Sequence, residues 1–268
     1  MNDLFAALLL GIIEGITEFL PISSTGHLLI AERWLGARSD LFNIAIQAGA
    51  ILAVVLIYRQ RLWQLLVGFG KPELRDYAFK LTASFAVTVV LGLLVKALGV
   101  GLPETLGPIA WALIIGGVVM LAAELVAARR AATHGERSRI TWPVAILVGV
   151  AQVVAGVFPG TSRSAAAIFA ALLFGTGNRV AATEFAFLVG IPTMFAATGY
   201  ELLQVLKDGS AGGENWTALA VAFVAAAVTA FVVVKWLLGY IQTHRFTAFS
   251  LYRVVLGAAL LLLLPSGV

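Results

Sequence analysis

Two short polar segments interrupt an otherwise apolar chain, and their residue types suit phosphate chemistry. The first segment, residues 14–27, reads EGITEFLPISSTGH and holds two acids, several hydroxyl groups and a histidine. The second, residues 158–164, reads FPGTSRS and holds hydroxyl groups and an arginine. Hydroxyl groups, a guanidinium and the free amides at the start of a helix all favour a phosphate-like anion. Together the two segments predict a pocket for a diphosphate.

The two acids of the first segment, Glu14 and Glu18, are four residues apart and share one face of a helix. Two carboxylates in a low-dielectric medium need compensation. A divalent cation, a shared proton or a cation from the second segment, Arg163, can supply it. If a divalent cation supplies it, Glu14 and Glu18 are its predicted ligands. Arg163 is predicted to neutralise charge on the transferred phosphoryl group, and a purely structural pairing with Glu18 is the alternative.

A serine and a histidine in the first segment indicate nucleophilic catalysis. Ser24 is the preferred nucleophile, and His27, three residues later, is the nearest base. Glu18 can orient His27 or act as the base itself, and Glu14 shares the metal or the diphosphate. Two alternatives stay open: His27 as nucleophile with a phosphohistidine intermediate, and metal-activated water with no covalent step.

The other hydroxyl groups of the two segments are predicted to bind the phosphates or to cap the helices that follow. These residues are Ser23, Thr25, Thr161, Ser162 and Ser164. Ser23 in particular is interpreted as an N-cap. Any one of them taken alone is best explained as an ordinary cap, and the co-occurrence with acids, histidine and arginine favours a site.

The composition places both segments inside a membrane protein. Of 268 residues, 60% are apolar and 12% are charged, against about half and a quarter in soluble domains. The chain has no cysteine, which excludes disulfides, thiolate nucleophiles and zinc–thiolate sites. The N-terminal apolar run is not expected to be a cleaved signal, since no basic residue precedes it. Six stretches are predicted to span the bilayer: 41–58, 77–100, 106–128, 180–206, 216–240 and 246–264.

Each polar segment lies between two apolar arms that are too short to span a bilayer, which predicts two re-entrant hairpins. The arms cover residues 4–13 and 28–35, and then 143–151 and 165–174. A shift of 138 residues aligns the two hairpins. It pairs Gly11 with Gly149, Glu14 with Gln152, Pro21 with Pro159, Ser23 with Thr161 and Ser24 with Ser162.

The predicted fold is an all-α polytopic membrane protein with a single membrane domain over residues 1–268. It consists of two inverted repeats, about 1–130 and about 140–268, each a re-entrant helical hairpin plus three transmembrane helices. The net charge of +4 is concentrated in short loops, which points to membrane orientation rather than to nucleic acid. Eight basic residues in loops 59–76 and 129–141 predict that this face is cytoplasmic and that both termini lie outside. The polar turns would then meet near the midplane.

Several polar residues lie within the predicted spans. Asn43, Gln47 and Glu184 can line the cavity or bridge helices. Arg253 and Glu124 are placed near the cytoplasmic ends of their helices and are interpreted as interface anchors.

The two segments resemble the motifs of the undecaprenyl-diphosphatase family, membrane enzymes associated with bacitracin resistance. Residues 14–27 are similar to its first motif and residues 159–164 to its second, and the resemblance covers essentially the whole chain. Ala165 departs from it, because the second motif usually continues with glycine.

The resemblance implies hydrolysis of undecaprenyl diphosphate to undecaprenyl phosphate and phosphate, which recycles the lipid carrier for cell-wall synthesis. It also implies a divalent cation, Mg or Ca, and a bacterial inner-membrane location. The expected partners are a polyprenyl diphosphate lipid and the bilayer, with no nucleic acid, and a homodimer is left open. The rival from another class is a lipid-phosphate flippase that uses the same site without hydrolysis.

Overall fold

The computed structural model describes residues 3–99, 106–135, 137–208 and 213–263, and within these ranges the chain is helical with no strand. The helices are α1 Asp3–Thr17, α2 Ser24–Leu35, α3 Asp40–Ile57, α4 Arg59–Val67, α5 Pro72–Ala97, α6 Leu106–His134, α7 Trp142–Val157, α8 Arg163–Phe174, α9 Arg179–Lys207, α10 Trp216–Thr243 and α11 Thr247–Leu263.

Five of these helices, α3, α5, α6, α9 and α10, are long and apolar enough to cross a membrane, which confirms five of the six predicted spans. The sixth corresponds to α11, which is apolar but has only 17 residues. Its predicted last residue, Leu264, lies outside the described residues, as does Val100, the predicted last residue of the second span. The predicted loop 59–76 contains a short helix, α4, that was not predicted.

Large apolar side chains cover the outer surfaces of the long helices. Leu93 on α5, Val118 on α6, Val224 on α10 and Val255 on α11 are all exposed. A protein surface of this kind suits contact with lipid tails rather than with water. The protein is therefore a multi-pass membrane protein.

Both polar segments form the turns of helical hairpins, α1–α2 and α7–α8. The arms have 15 and 12 residues in the first hairpin and 16 and 12 in the second. They measure about 18–24 Å, so each is longer than the half-bilayer arms that the sequence predicts. The extra length lies at the arm ends, where the helices continue through polar residues such as Glu14 in α1, Ser24 in α2 and Gln152 in α7.

The first arm of each hairpin packs tightly against a long helix, α1 on α10 and α7 on α5. A Cβ atom at Gly11 would lie 2.3 Å from the carbonyl oxygen of Ala222, and one at Gly149 would lie 2.5 Å from that of Ser84. Both positions therefore require glycine. The same shift of 138 residues relates the two contacts. It separates Gly149 from Gly11, and it separates Ala222 from Ser84.

Candidate active site

The two hairpins begin their second helices in the same way. Ser23 caps α2 with a φ of 75°, and its Oγ accepts a hydrogen bond from the amide of Gly26 at 3.3 Å. Ser162 caps α8 with a φ of 70°, and its Oγ accepts from the amide of Ala165 at 3.3 Å. The prediction that Ser23 is an N-cap is confirmed. Both serines have a backbone conformation that residues other than glycine rarely adopt.

This similarity corrects the predicted alignment of the turns, because Ser162 is the counterpart of Ser23 and not of Ser24. The second turn contains one extra residue between its proline and its capping serine. Gly160 lies in this longer turn with a φ of 94°, and a Cβ there would lie 2.8 Å from the carbonyl oxygen of Ile109. Beyond the turns the shift is 139, so Arg163 occupies the position of Ser24.

Glu18 is the point at which the two turns meet, and its side chain is almost fully buried. Ser24 Oγ donates a hydrogen bond to Oε2 at 2.5 Å, and Arg163 Nη2 donates to Oε1 at 3.0 Å. Ser164 Oγ donates to the Glu18 carbonyl oxygen at 3.2 Å. Arg163 Nη2 also donates to Gln47 Oε1 at 2.5 Å. The structure thus brings together a serine hydroxyl, a carboxylate and a guanidinium from segments far apart in sequence.

The hydrogen bonds of His27 go to residues other than Ser24, so the structure does not join the predicted Ser24–His27 pair. Its Nδ1 lies 2.7 Å from the Ser23 carbonyl oxygen, and its Nε2 lies 2.6 Å from the Tyr252 hydroxyl. Since a carbonyl oxygen can only accept, Nδ1 must carry a proton, and in the neutral ring Nε2 accepts from the tyrosine. The acceptor beside Ser24 is Glu18, and Tyr252 is a neighbour that the sequence did not indicate.

Glu14 lies one helical turn before Glu18 and is completely buried. Neither of its carboxylate oxygens has a hydrogen-bond partner among the described residues. Glu18, one turn later, lines a cavity of about 30 Å³ together with Arg163, Ser164, Gln152 and apolar neighbours, which is large enough to hold water. A buried carboxylate without a partner is costly, which suggests that Glu14 interacts with a bound ligand or proton.

The metal-binding capacity of the site rests on these two acids. Among the described residues, no three His, Asp or Glu side chains come close enough to form a metal cage. Magnesium is commonly held by one or two carboxylates together with phosphate oxygens of the substrate. Glu14 and Glu18 fit a cation of that kind, which would be bound only together with a phosphate group.

The remaining predicted site residues are less central. Ser162 Oγ lies 3.1 Å from Ser164 Oγ, which links the cap to the Glu18 cluster. Thr25 is exposed at the start of α2. Thr161 lines an apolar groove between α6 and α8 rather than the polar cavity. The structure therefore does not bring Thr25 and Thr161 to Glu18.

Arg253 on α11 was predicted to be an interface anchor, and this prediction is wrong. Its side chain is fully buried at the two turns. Its guanidinium donates to the carbonyl oxygens of Pro21 at 3.3 Å, Thr161 at 2.9 Å and Gly160 at 3.0 Å. It also donates to the carbonyl oxygens of residues 112 and 113 in α6. Arg253 thus joins both turns to α6 and α11.

Glu124 was also predicted to be an interface anchor, and this too is wrong. It is buried, with an Arg179 nitrogen 2.7 Å from its Oε2, and its Oε1 accepts from the Phe246 amide at 3.1 Å. Of the residues left open, Glu184 accepts from Arg61 Nε at 3.0 Å and so bridges helices, whereas Gln47 belongs to the Arg163 cluster.

The family model described as bacitracin resistance protein BacA matches residues 7–259, a range that includes both turns. An undecaprenyl-diphosphatase of Stenotrophomonas maltophilia (strain R551-3) is 69% identical over 267 residues, covering 100% of this chain and 100% of that protein. One from Xanthomonas euvesicatoria pv. vesicatoria (strain 85-10) is 65% identical, covering 100% of this chain and 99% of that protein. One from Xanthomonas campestris pv. campestris (strain 8004) is 64% identical, with 100% of both chains covered.

Proposed function

Since the chain belongs to the bacitracin resistance protein BacA family, we propose that it hydrolyses undecaprenyl diphosphate to undecaprenyl phosphate and phosphate. The observation that carries the proposal is the contact of Ser24 and Arg163 with the two oxygens of the Glu18 carboxylate. This arrangement brings together a nucleophile, Ser24, a base, Glu18, and a guanidinium that can bind phosphate, Arg163. The full-length similarity to proteins named undecaprenyl-diphosphatase supports the same reaction.

In the first step Ser24 Oγ attacks the terminal phosphorus while its proton passes to Glu18. The bond between that phosphorus and the bridging oxygen breaks, and undecaprenyl phosphate leaves. Arg163 must turn from Glu18 toward the phosphoryl group when the substrate binds, because its guanidinium now donates to Glu18 and Gln47. This movement also releases Glu18 from its ion pair, so that binding of the substrate prepares the base.

In the second step water attacks the phosphoserine and phosphate leaves. Glu18 gives up the proton gained in the first step to the departing undecaprenyl phosphate and then accepts one from the attacking water. Glu18 passes that proton back to Ser24 Oγ as the bond between Ser24 and phosphorus breaks. The atoms and protons balance without another reactant.

The contacts of His27 favour a positioning role over a nucleophilic one. Both ring nitrogens already have partners, the Ser23 carbonyl oxygen and the Tyr252 hydroxyl. Because Ser23 precedes Ser24, this anchoring fixes the start of α2 and with it the direction of the Ser24 hydroxyl. A phosphohistidine would require one of these two hydrogen bonds to break first.

A divalent cation, Mg or Ca, is proposed to bind Glu14 and Glu18 together with the diphosphate. When bound, it would neutralise phosphate charge and assist departure of the leaving group. Glu14→Gln should then raise the cation concentration that gives half-maximal phosphate release by roughly tenfold. A titration of the purified variant with Mg²⁺ checks this. Glu32→Gln, which alters an acid of the same hairpin outside the turns, is the control, and unchanged titrations for both variants would remove Glu14 from cation binding.

For the membrane topology of this protein we propose two inverted repeats with both termini outside the cytoplasm. The shared 138-residue shift of the Gly11 and Gly149 contacts supports the duplication, as do the matching serine caps. The basic residues of loops 59–76 and 129–141 support the orientation. Both hairpins would then be re-entrant, one from each side, with their turns near the midplane.

Hydrolysis is tested by phosphate release from undecaprenyl diphosphate by the purified, detergent-solubilised protein, with and without chelator. We expect release of one phosphate per lipid, together with the appearance of undecaprenyl phosphate. A flippase would release no phosphate, but it would move the lipid from one leaflet of a vesicle membrane to the other. Phosphate release that persists unchanged in Ser24→Ala would assign the activity to a contaminant or to another residue.

A further inference from the structure

An apolar groove of about 500 Å³ runs along α8 between α6 and α7, and we call it the α6–α8 groove. It begins at Thr161 in the second turn and ends at Phe174, the last residue of α8. Trp111 and Val119 form its α6 wall, and Ala166 and Ala170 form its α8 wall. The groove therefore starts two residues before Arg163.

Helix α8 separates this groove from the polar cluster. Ser164 and Ala167 face the cavity beside Glu18, whereas Ala166 and Ala170 face the groove. The helix thus has one face toward the phosphate chemistry and another toward an apolar channel. On the second face the alanines at positions 165, 166 and 170 leave space between the larger side chains of Phe169, Leu173 and Phe174.

The cavity beside Glu18 and the α6–α8 groove differ greatly in size, which suits the two parts of a lipid diphosphate. The cavity beside Glu18 and Arg163 measures about 30 Å³, so the α6–α8 groove is by far the roomier of the two spaces for an apolar chain. The groove lies within the ~300–1,000 Å³ range of pockets that enclose small molecules. It can hold the first isoprene units of a tail, with the rest of a long chain among the membrane lipids.

A second apolar groove shows that depressions on the lipid-facing surface are not all equivalent. It measures about 670 Å³ and lies between α1 and α10, with Leu8, Val224 and Ala225 among its lining residues. Its described lining residues include none from either polar turn. Only a groove that reaches a turn can be continuous with a bound phosphate.

We propose that the α6–α8 groove binds the head-proximal isoprene units of the prenyl diphosphate and thereby aligns the diphosphate with Ser24. This proposal rests on the proposed function, because it assigns the tail of the same substrate. The groove would distinguish a polyprenyl chain from inorganic pyrophosphate through apolar burial alone.

Photo-crosslinking tests the groove without relying on turnover. The probe is a farnesyl-length diphosphate with a benzophenone at the tail end, irradiated with the full-length protein in detergent. We expect mass spectrometry to find labelled peptides from α6 and α8, and undecaprenyl diphosphate to suppress that labelling. Labelling that undecaprenyl diphosphate does not suppress, or that occurs on α1 and α10 instead, would overturn the proposal.

A matched pair of variants adds a kinetic test. Ala166→Leu fills the α6–α8 groove, whereas Ala225→Leu makes the same change at another half-buried alanine in the α1–α10 groove. For farnesyl diphosphate, Ala166→Leu should raise KM roughly tenfold or more with kcat little changed, and Ala225→Leu should leave both near wild type. Equal KM values for the two variants would contradict the groove assignment. A wild-type protein that releases no phosphate would contradict the proposed function instead, and the crosslinks would still report on the groove.

Discussion

Replacing Ser24 by alanine is expected to reduce phosphate release from undecaprenyl diphosphate by at least about 10³-fold, the scale of loss seen when a catalytic nucleophile is removed. The reason is that the Ser24 hydroxyl, which donates a hydrogen bond to Glu18, is the group that forms the bond to the terminal phosphorus. Binding of the lipid should persist, since Arg163 is unchanged. Turnover of the purified variant checks the first expectation, and retention of the lipid on the protein checks the second.

Ser23→Ala is the matched control for Ser24→Ala. It removes the cap hydroxyl that accepts from Gly26, which should cost about 0.5–2 kcal/mol of stability while most turnover remains. Mass spectrometry of protein quenched during turnover should find phosphate on Ser24 in wild type and in Ser23→Ala only. If Ser24→Ala keeps more than a tenth of the wild-type rate, serine is not the nucleophile, and metal-activated water takes its place.

Arg163→Lys should lower turnover by ~10²–10³-fold although the charge is kept. A guanidinium can contact two phosphate oxygens at once and can bridge Glu18 and Gln47, whereas an ammonium is a point charge on a different stem. The measurement is kcat and KM for phosphate release, in which the loss should fall mainly on kcat.

Arg61→Lys is the control for this substitution, because Arg61 also forms an ion pair with a glutamate, Glu184, away from the turns. It should leave turnover close to that of wild type. A similar loss in both variants would indicate a general effect on folding. A mild effect of Arg163→Lys would mean that Arg163 serves only as the counter-ion of Glu18.

The sequence predicted the parts of the fold that depend on length and hydropathy. The five long helices follow from uninterrupted apolar stretches, and the hairpin turns follow from Pro21 and Pro159 with hydroxyl residues after them. The Ser23 cap was predictable because capping is a local interaction over three residues. The extra residue in the second turn was not, since an alignment on the prolines cannot place an insertion behind them.

The contacts within the site were less accessible to prediction, because they join residues far apart in the chain. His27 was favoured as the base of Ser24 from its spacing of three residues, but the positive φ of Ser23 directs the following serine toward Glu18. Tyr252 is separated from His27 by 225 residues, and its sequence neighbourhood is an ordinary apolar helix. The polar residue Gln47 could be noted from sequence, but its partner could not.

The position of Arg253 has a mechanical consequence for the pair of hairpins. A single guanidinium holds carbonyl oxygens of the first turn, the second turn and α6. Hydrogen bonds to a charged group contribute about 1.5–3 kcal/mol each, and water is scarce at a fully buried site to replace them. Rocking of one hairpin against the other would break several of these bonds together. The two turns therefore behave as one rigid body, and any opening that admits or releases a lipid has to come from side chains such as Arg163 and from the surrounding helices.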